Sequence, residues 1–158
     1  MTIQRQKQNN SALWLVLGGA IVLRMILAGV TEGYPYDMSC FVAWGDKLAS
    51  EGPAAFYSAD YFADYPPGYI LVLGLVSLVR KALQLSYESR WTYFLLALIP
   101  AICDCAAVVL LDHISRRYMG QGRAQRCLVL FAAFCPLTLF DTGIWKQIDG
   151  AFALPLLL

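Results

Sequence analysis

Between Ser11 and Val30 the chain is apolar apart from Arg24, and this stretch constrains the fold more than any other feature. Its length matches the ~20 residues that an α-helix needs to cross a hydrocarbon core of ~30 Å. Two further runs read the same way: residues 91–111, with Asp104 inside, and residues 127–145, which continue past Asp141 to Trp145. The whole chain is 59% hydrophobic and 15% charged, far more apolar than a soluble domain. The expected class is therefore an all-α, polytopic integral membrane protein. A formal net charge of +1 supplies no basic stripe, so no nucleic-acid partner is expected.

Residues 1–10 are polar and carry Arg5 and Lys7, and no convincing small-residue cleavage site follows the first run. That pattern predicts a retained anchor with a cytoplasmic amino terminus. On this orientation residues 31–90 form an extracytoplasmic loop that carries surface helices. Its first part is acidic, with Glu32, Asp37, Asp46, Glu51, Asp60 and Asp64 against Lys47. Residues 37–50 read as a short amphipathic helix along the membrane surface, with Met38, Phe41, Val42 and Leu48 on one side and Gly52-Pro53 as its stop.

Residues 68–79 are apolar but fall short of a crossing before Arg80 and Lys81. Two topologies follow, one with a crossing there and one in which 66–83 is a surface or re-entrant helix; Lys and Arg counts do not separate them. The second is preferred because this run is the shortest. It also makes a basic loop with Arg116, Arg117, Arg123 and Arg126 cytoplasmic, and brings residues 145–150 out on the side of Asp37 and Asp64. Residues 151–158 open another apolar run, and the chain is expected to be the front end of a longer protein, organised as one membrane domain over 1–158.

Pro66 and Pro67 fix φ and remove two backbone donors, which suits the first turn of a helix. The residue before a proline is pushed toward extended geometry, so Asp64 and Tyr65 stand at the mouth of that helix. Asp37 has two compatible readings: an N-cap, or a carboxylate that orients or deprotonates an acceptor hydroxyl. Asp64 can likewise serve only the turn. Trp145-Lys146-Gln147-Ile148-Asp149-Gly150 sets a cation, an amide and a carboxylate at a span end, against the simpler reading of an interfacial Trp and Lys anchor.

Arg24 and Asp104, ionisable within apolar runs, are expected to face the interior, with Arg24 paired to an acid. The functional alternative has Arg24 hold a lipid phosphate at the membrane face, with Arg80, Lys81 and Lys146 as rivals for that task. Four of the five cysteines, Cys103, Cys105, Cys127 and Cys135, lie in apolar runs and behave as small hydrophobes; only Cys40 is in a polar loop. With a single His113 and no paired ligand spacing, neither a disulfide framework nor a zinc site is expected.

The blocks Asp37-Met38-Ser39-Cys40-Phe41-Val42-Ala43-Trp44, Gly52-Pro53 with Phe56-Tyr57, Asp64-Tyr65-Pro66-Pro67-Gly68-Tyr69 and Trp145-Lys146-Gln147-Ile148-Asp149 resemble the amino-terminal part of bacterial membrane glycosyltransferases of the GT-C superfamily. Within it they are similar to the bacterial proteins related to glycosylphosphatidylinositol mannosyltransferase II. The likeness runs from Ser11 through nearly the whole chain; Lys146 departs from the small residue usual at its position.

The resemblance implies a GT-C-like amino-terminal module with juxtamembrane helices in the first outer loop, in a multi-pass protein of the bacterial plasma membrane. It implies transfer of one sugar, mannose or another hexose, from a polyprenyl phosphate carrier to a hydroxyl of a glycan, lipid or protein acceptor outside the cytoplasm. Asp37 takes the catalytic role, and Asp64, Tyr65, Gln147 and Asp149 line the substrate cavity. Because the leaving group is a phosphate monoester, the reaction needs a base at the acceptor and a cation at the departing phosphate, one of Arg24, Arg80 or Lys81. No cofactor is expected; Asp37, Asp64 and Asp149 have the oxygen chemistry for Mg²⁺ or Mn²⁺, but their spacing does not demand a metal. Two other readings stay open, an inactive truncated fragment and a transporter that uses Arg24 and Asp104.

Overall fold

The computed structural model describes residues 2–58 and 60–157. The side chains of Arg5 and Lys7, on which the cytoplasmic amino terminus rests, lie outside the described residues, as does Leu158 at the end of the last apolar run. The described residues contain helices and no strand: α1 (Thr2–Val30), α2 (Pro35–Glu51), α3 (Pro53–Phe56), α4 (Pro67–Ala82), α5 (Arg90–Met119), α6 (Arg123–Ala133), α7 (Pro136–Thr138), a π-helix (Leu139–Trp145) and α8 (Asp149–Leu157). Among the described residues three stretches are long and apolar enough to cross a membrane, Ser11–Val30, Arg90–Met119 and Arg123–Trp145. Between 22% and 33% of their apolar windows is buried inside the protein, which leaves most of that surface for a lipid environment. The chain is a membrane protein.

Contacts divide the chain into two compact units, residues 32–96 and a span unit made of residues up to Thr31 together with those from Ala97 onward. In the first, α2 and α4 run parallel. Phe41 near the start of α2 meets Tyr69 near the start of α4, while Asp46 further along α2 reaches Ser77 and Arg80. Parallel neighbours need a long connection, which α3 and residues 57–66 supply. Met38, Phe41, Val42, Gly45 and Leu48 recur at helical spacing, so α2 presents one buried stripe. The helices approach closely because Gly45 and Gly74 have no side chain: a Cβ on Gly45 would stand 2.5 Å from the Leu73 carbonyl oxygen.

The span unit packs α1 against α5 and α6 through Leu17, Ala20, Val108, Val129 and Ala133. Ala20 and Ala133 are small enough to let helix backbones come together where lipid removes the usual hydrophobic drive between helices. Pro136 explains the break in the third span. Cys135, before it, is extended at φ −58° and ψ 123°, and α6 ends at Ala133. The chain then resumes as α7 and the π-helix.

Several expectations change. The run expected over 91–111 is one continuous helix to Met119, with Pro100 inside it. Arg116, Arg117, Arg123 and Arg126 are not in a loop, because α5 extends through the first pair and α6 begins at Arg123. Asp37 is not an N-cap: Tyr34 holds that position with extended dihedrals, Pro35 opens the helix, and Asp37 lies in the first turn. A carboxylate there still gains about 0.3–1 kcal/mol from the helix dipole.

Candidate functional site

The first turn of α2 and the mouth of α4 lie at the same end of the parallel pair. Asp37 is half-buried, Asp64 is exposed, and Cys40 lies one turn beyond Asp37. Burial pushes the Cys40 thiol up from its ordinary value, and the charges of Asp37 and Asp64 push it further. Two carboxylates distant in sequence therefore act on one sulfur.

Beside them is an aromatic wall. Tyr65 packs edge-on against Phe41 with ring centroids 5.3 Å apart, and contacts Trp44 at 5.2 Å and Tyr69 at 6.1 Å. The Trp44 indole donates to the Phe62 carbonyl at 2.9 Å, and the Tyr57 hydroxyl donates to the Tyr65 carbonyl at 2.8 Å. Each such ring pair contributes about 0.5–1.5 kcal/mol beyond area burial. The loop that presents Asp64 and Tyr65 is thus pinned from both sides, through a side chain and through backbone.

Arg80 and Lys81 occupy the other end of α4. At 1.5 Å per residue, the helix carries them roughly 20 Å from its mouth. Arg80 donates to Asp46 at 2.7 Å and to the Leu85 carbonyl at 2.9 Å, Ser77 also donates to Asp46, and Lys81 stands 3.6 Å from the same carboxylate. Burial pushes the Asp46 carboxyl up, but the bonds from Arg80 and Ser77 and the charges of Arg80 and Lys81 outweigh it, so the net shift is down from 3.8. This cluster locks α2 to α4. Sequence reasoning counted Asp46 only as one acid of the loop; its position facing Ser77 and Arg80 exists only once the helices pair.

In the span unit Arg24 is 1% exposed and pairs with Asp104 at 3.0 Å, the acid partner expected for it. Its other nitrogens donate to the Ala133 carbonyl at 2.9 Å and to the Thr138 hydroxyl at 3.0 Å. The Ala133 carbonyl is one that the Pro136 break removes from the helical ladder. An arginine inside a span is costly, and here it caps a backbone group that lipid would leave unsatisfied. Thr142 donates to the same Asp104 oxygen at 3.0 Å.

Lys146 is fully buried rather than an interfacial anchor, whereas Trp145 beside it is 43% exposed. Its ammonium donates to the Thr31 carbonyl at 2.8 Å, the Thr31 hydroxyl at 2.9 Å and the Ile144 carbonyl at 3.4 Å. A cation thus sits at the carboxyl ends of α1 and the π-helix, where both dipoles favour it. Lys146 adopts φ +63°, a left-handed conformation that costs a non-glycine residue about 1–2 kcal/mol. Those bonds are what hold it there.

Asp149 is exposed at the start of α8 and Gln147 is half-buried before it. Arg24, Asp104, Thr138, Asp141 and Asp149 line one cavity of about 540 Å³ whose remaining walls are mostly apolar. Sequence reading singled out Arg24, Asp104 and Asp149 there and missed Asp141, which an apolar run had absorbed. Among the described residues, no group of three or more His, Cys, Asp or Glu side chains is placed to hold a metal ion. No family model, curated protein or solved structure matches the chain.

Proposed function

We propose that the chain forms part of a membrane glycosyltransferase that moves a single hexose from a polyprenyl phosphate carrier to an acceptor hydroxyl at the extracytoplasmic face. The observation that carries this reading is the packing of the Tyr65 ring on Phe41 and Trp44, which brings the Asp64-Tyr65 block onto α2, whose first turn holds Asp37. The two sequence blocks with the strongest likeness to GT-C enzymes meet at one end of α2 and α4.

In this reading Asp37 accepts the proton of the attacking hydroxyl, and its fixed backbone in a helical first turn sets the direction of approach. Asp64, exposed beside it, accepts hydrogen bonds from sugar hydroxyls, and Tyr65 offers a held phenol and ring face. The sequence resemblance assigns Gln147 and Asp149 to substrate as well. Arg80 and Lys81 are assigned a structural task instead of the departing phosphate, because Asp46 engages them at the far end of α4. Arg24 is assigned the capping task because Asp104, the Ala133 carbonyl and the Thr138 hydroxyl engage its guanidinium.

The test is transfer from a radiolabelled polyprenyl phosphate sugar by purified protein in bilayers. Asp37→Asn is expected to lower kcat by about 10²–10⁴-fold, the usual worth of a positioned general base, with thermal stability nearly unchanged. Normal transfer by Asp37→Asn would overturn the assignment. A transport reading is favoured by one observation, the cavity that Arg24, Asp104, Asp141 and Asp149 line. It requires substrate flux that depends on Arg24 and Asp104 and that Asp37→Asn leaves intact.

A further inference from the structure

Where α5 turns into α6, four arginines crowd within a short stretch, Arg116 and Arg117 in the last turn of α5 and Arg123 and Arg126 at the start of α6. One aspartate, Asp112, stands against them. It is buried, accepts from the Gln125 amide at 2.5 Å and pairs with Arg116 at 2.7 Å. Among the described residues Arg117, Arg123 and Arg126 enter no ion pair. Cations also stand at the wrong end of α6, since its first turn contains no acid and Gly122 offers no side-chain cap. An external anion would reverse that cost.

Next to this patch a groove of about 130 Å³ runs between α1, α5 and α6. That is the room of about four waters. Arg116, Arg126, Gln125 and Asp112 lie at its polar part, where Asp112 answers Arg116 and leaves the Arg126 charge outside any ion pair among the described residues, and Leu13, Val16, Val129 and Leu130 make its apolar wall. A cationic rim joined to an apolar channel, at the ends of two membrane-length helices, matches one chemistry: a phosphodiester headgroup with acyl chains attached. Juxtamembrane arginine clusters attract anionic lipids at about 1 kcal/mol per residue.

We propose that this groove is a binding site for an anionic phospholipid, with Arg126 at the phosphate, Arg116 held beside it by Asp112 and the α1–α6 wall along the first part of a chain. The occupant is a bilayer lipid and not a soluble anion, because the apolar wall would gain nothing from free phosphate. The inference is independent of the proposed sugar transfer, which uses neither the groove nor these arginines.

Purified protein in detergent would be titrated with phosphatidylglycerol and with phosphatidylcholine of identical acyl chains, and lipid retention read by native mass spectrometry. Phosphatidylglycerol is expected to be retained preferentially, and Arg126→Gln to weaken that retention about fivefold, the equivalent of one juxtamembrane charge. Arg117→Gln changes net charge equally but does not line the groove, and is expected to act much less. Leu130→Trp, which fills the wall, should weaken phosphatidylglycerol without altering charge. Equal retention of the two lipids, equal effects of Arg126→Gln and Arg117→Gln, or displacement of the lipid by inorganic phosphate would each overturn the site.

Discussion

The Arg24–Asp104 pair is the most demanding test of how the span unit holds together. Its side chains are 1% and 8% exposed, so water screens little of the interaction. Removing one partner of such a pair leaves a buried charge uncompensated and costs about 3–5 kcal/mol. Arg24→Met would strand the Asp104 carboxylate and also expose the Ala133 carbonyl and Thr138 hydroxyl that the guanidinium satisfies. Asp104→Asn keeps the shape but leaves the guanidinium charge unanswered. The double variant Arg24→Met/Asp104→Asn retains the uncapped carbonyl and no stranded charge. It is therefore expected to be no less stable than Arg24→Met alone, so the coupling energy is about 3 kcal/mol. Reversible unfolding in mixed micelles of increasing SDS fraction would measure all four proteins. Additive single losses would show that the two residues act separately and that capping and charge compensation are not one device. Single variants of unchanged stability that lose transport would instead favour an ion or substrate path.

Gly45→Ala is expected to destabilise by about 1–3 kcal/mol through overpacking, because its Cβ meets the Leu73 backbone oxygen, which cannot move independently of α4. Gly74→Ala should cost less, since the group it meets at 2.5 Å is the methyl end of Leu48; thermal melts giving the opposite order would refute the crossing geometry. Asp46 has a folded pKa below its ordinary 3.8, so its contribution is complete above that value and is lost as pH falls through the folded pKa. Acid unfolding followed below about pH 4 should be shallower in Asp46→Asn than in wild type, and an identical acid slope would refute the lock.

Much of the secondary structure was legible from local patterns. Pro66-Pro67 marks the start of α4 because a proline pair cannot donate within a first turn, and the observed helix opens at Pro67 with Pro66 before it. The α2 stripe followed from helical spacing alone. Caps were harder: Asp37 has the chemistry of an N-cap, but Pro35 two positions earlier had already opened the helix. The arginines between α5 and α6 looked like a loop because charge density suggests solvent, whereas a helix exposes charge equally well on its outer turns.

The candidate site was legible as residue types and illegible as geometry. Asp37, Asp64 and Tyr65 could be named from their motifs, yet their meeting depends on α2 and α4 running parallel, which depends on the long link between them. Lys146 shows the limit from the other side. A lysine after a tryptophan at a span end reads as an interfacial anchor, and nothing local marks it as the cap of two helix ends.

Hydrophobicity and proline placement are properties of short stretches, so membrane-length helices, their breaks and the order of elements could be written down from the chain alone. Partner choice is different in kind. Which acid answers Arg24, which carbonyl a broken helix leaves for it, and which end of α4 meets Asp37 all depend on atoms far apart in the chain. Desolvation makes those choices compulsory, because a buried charge or carbonyl must find its partner among whatever the packing brings near.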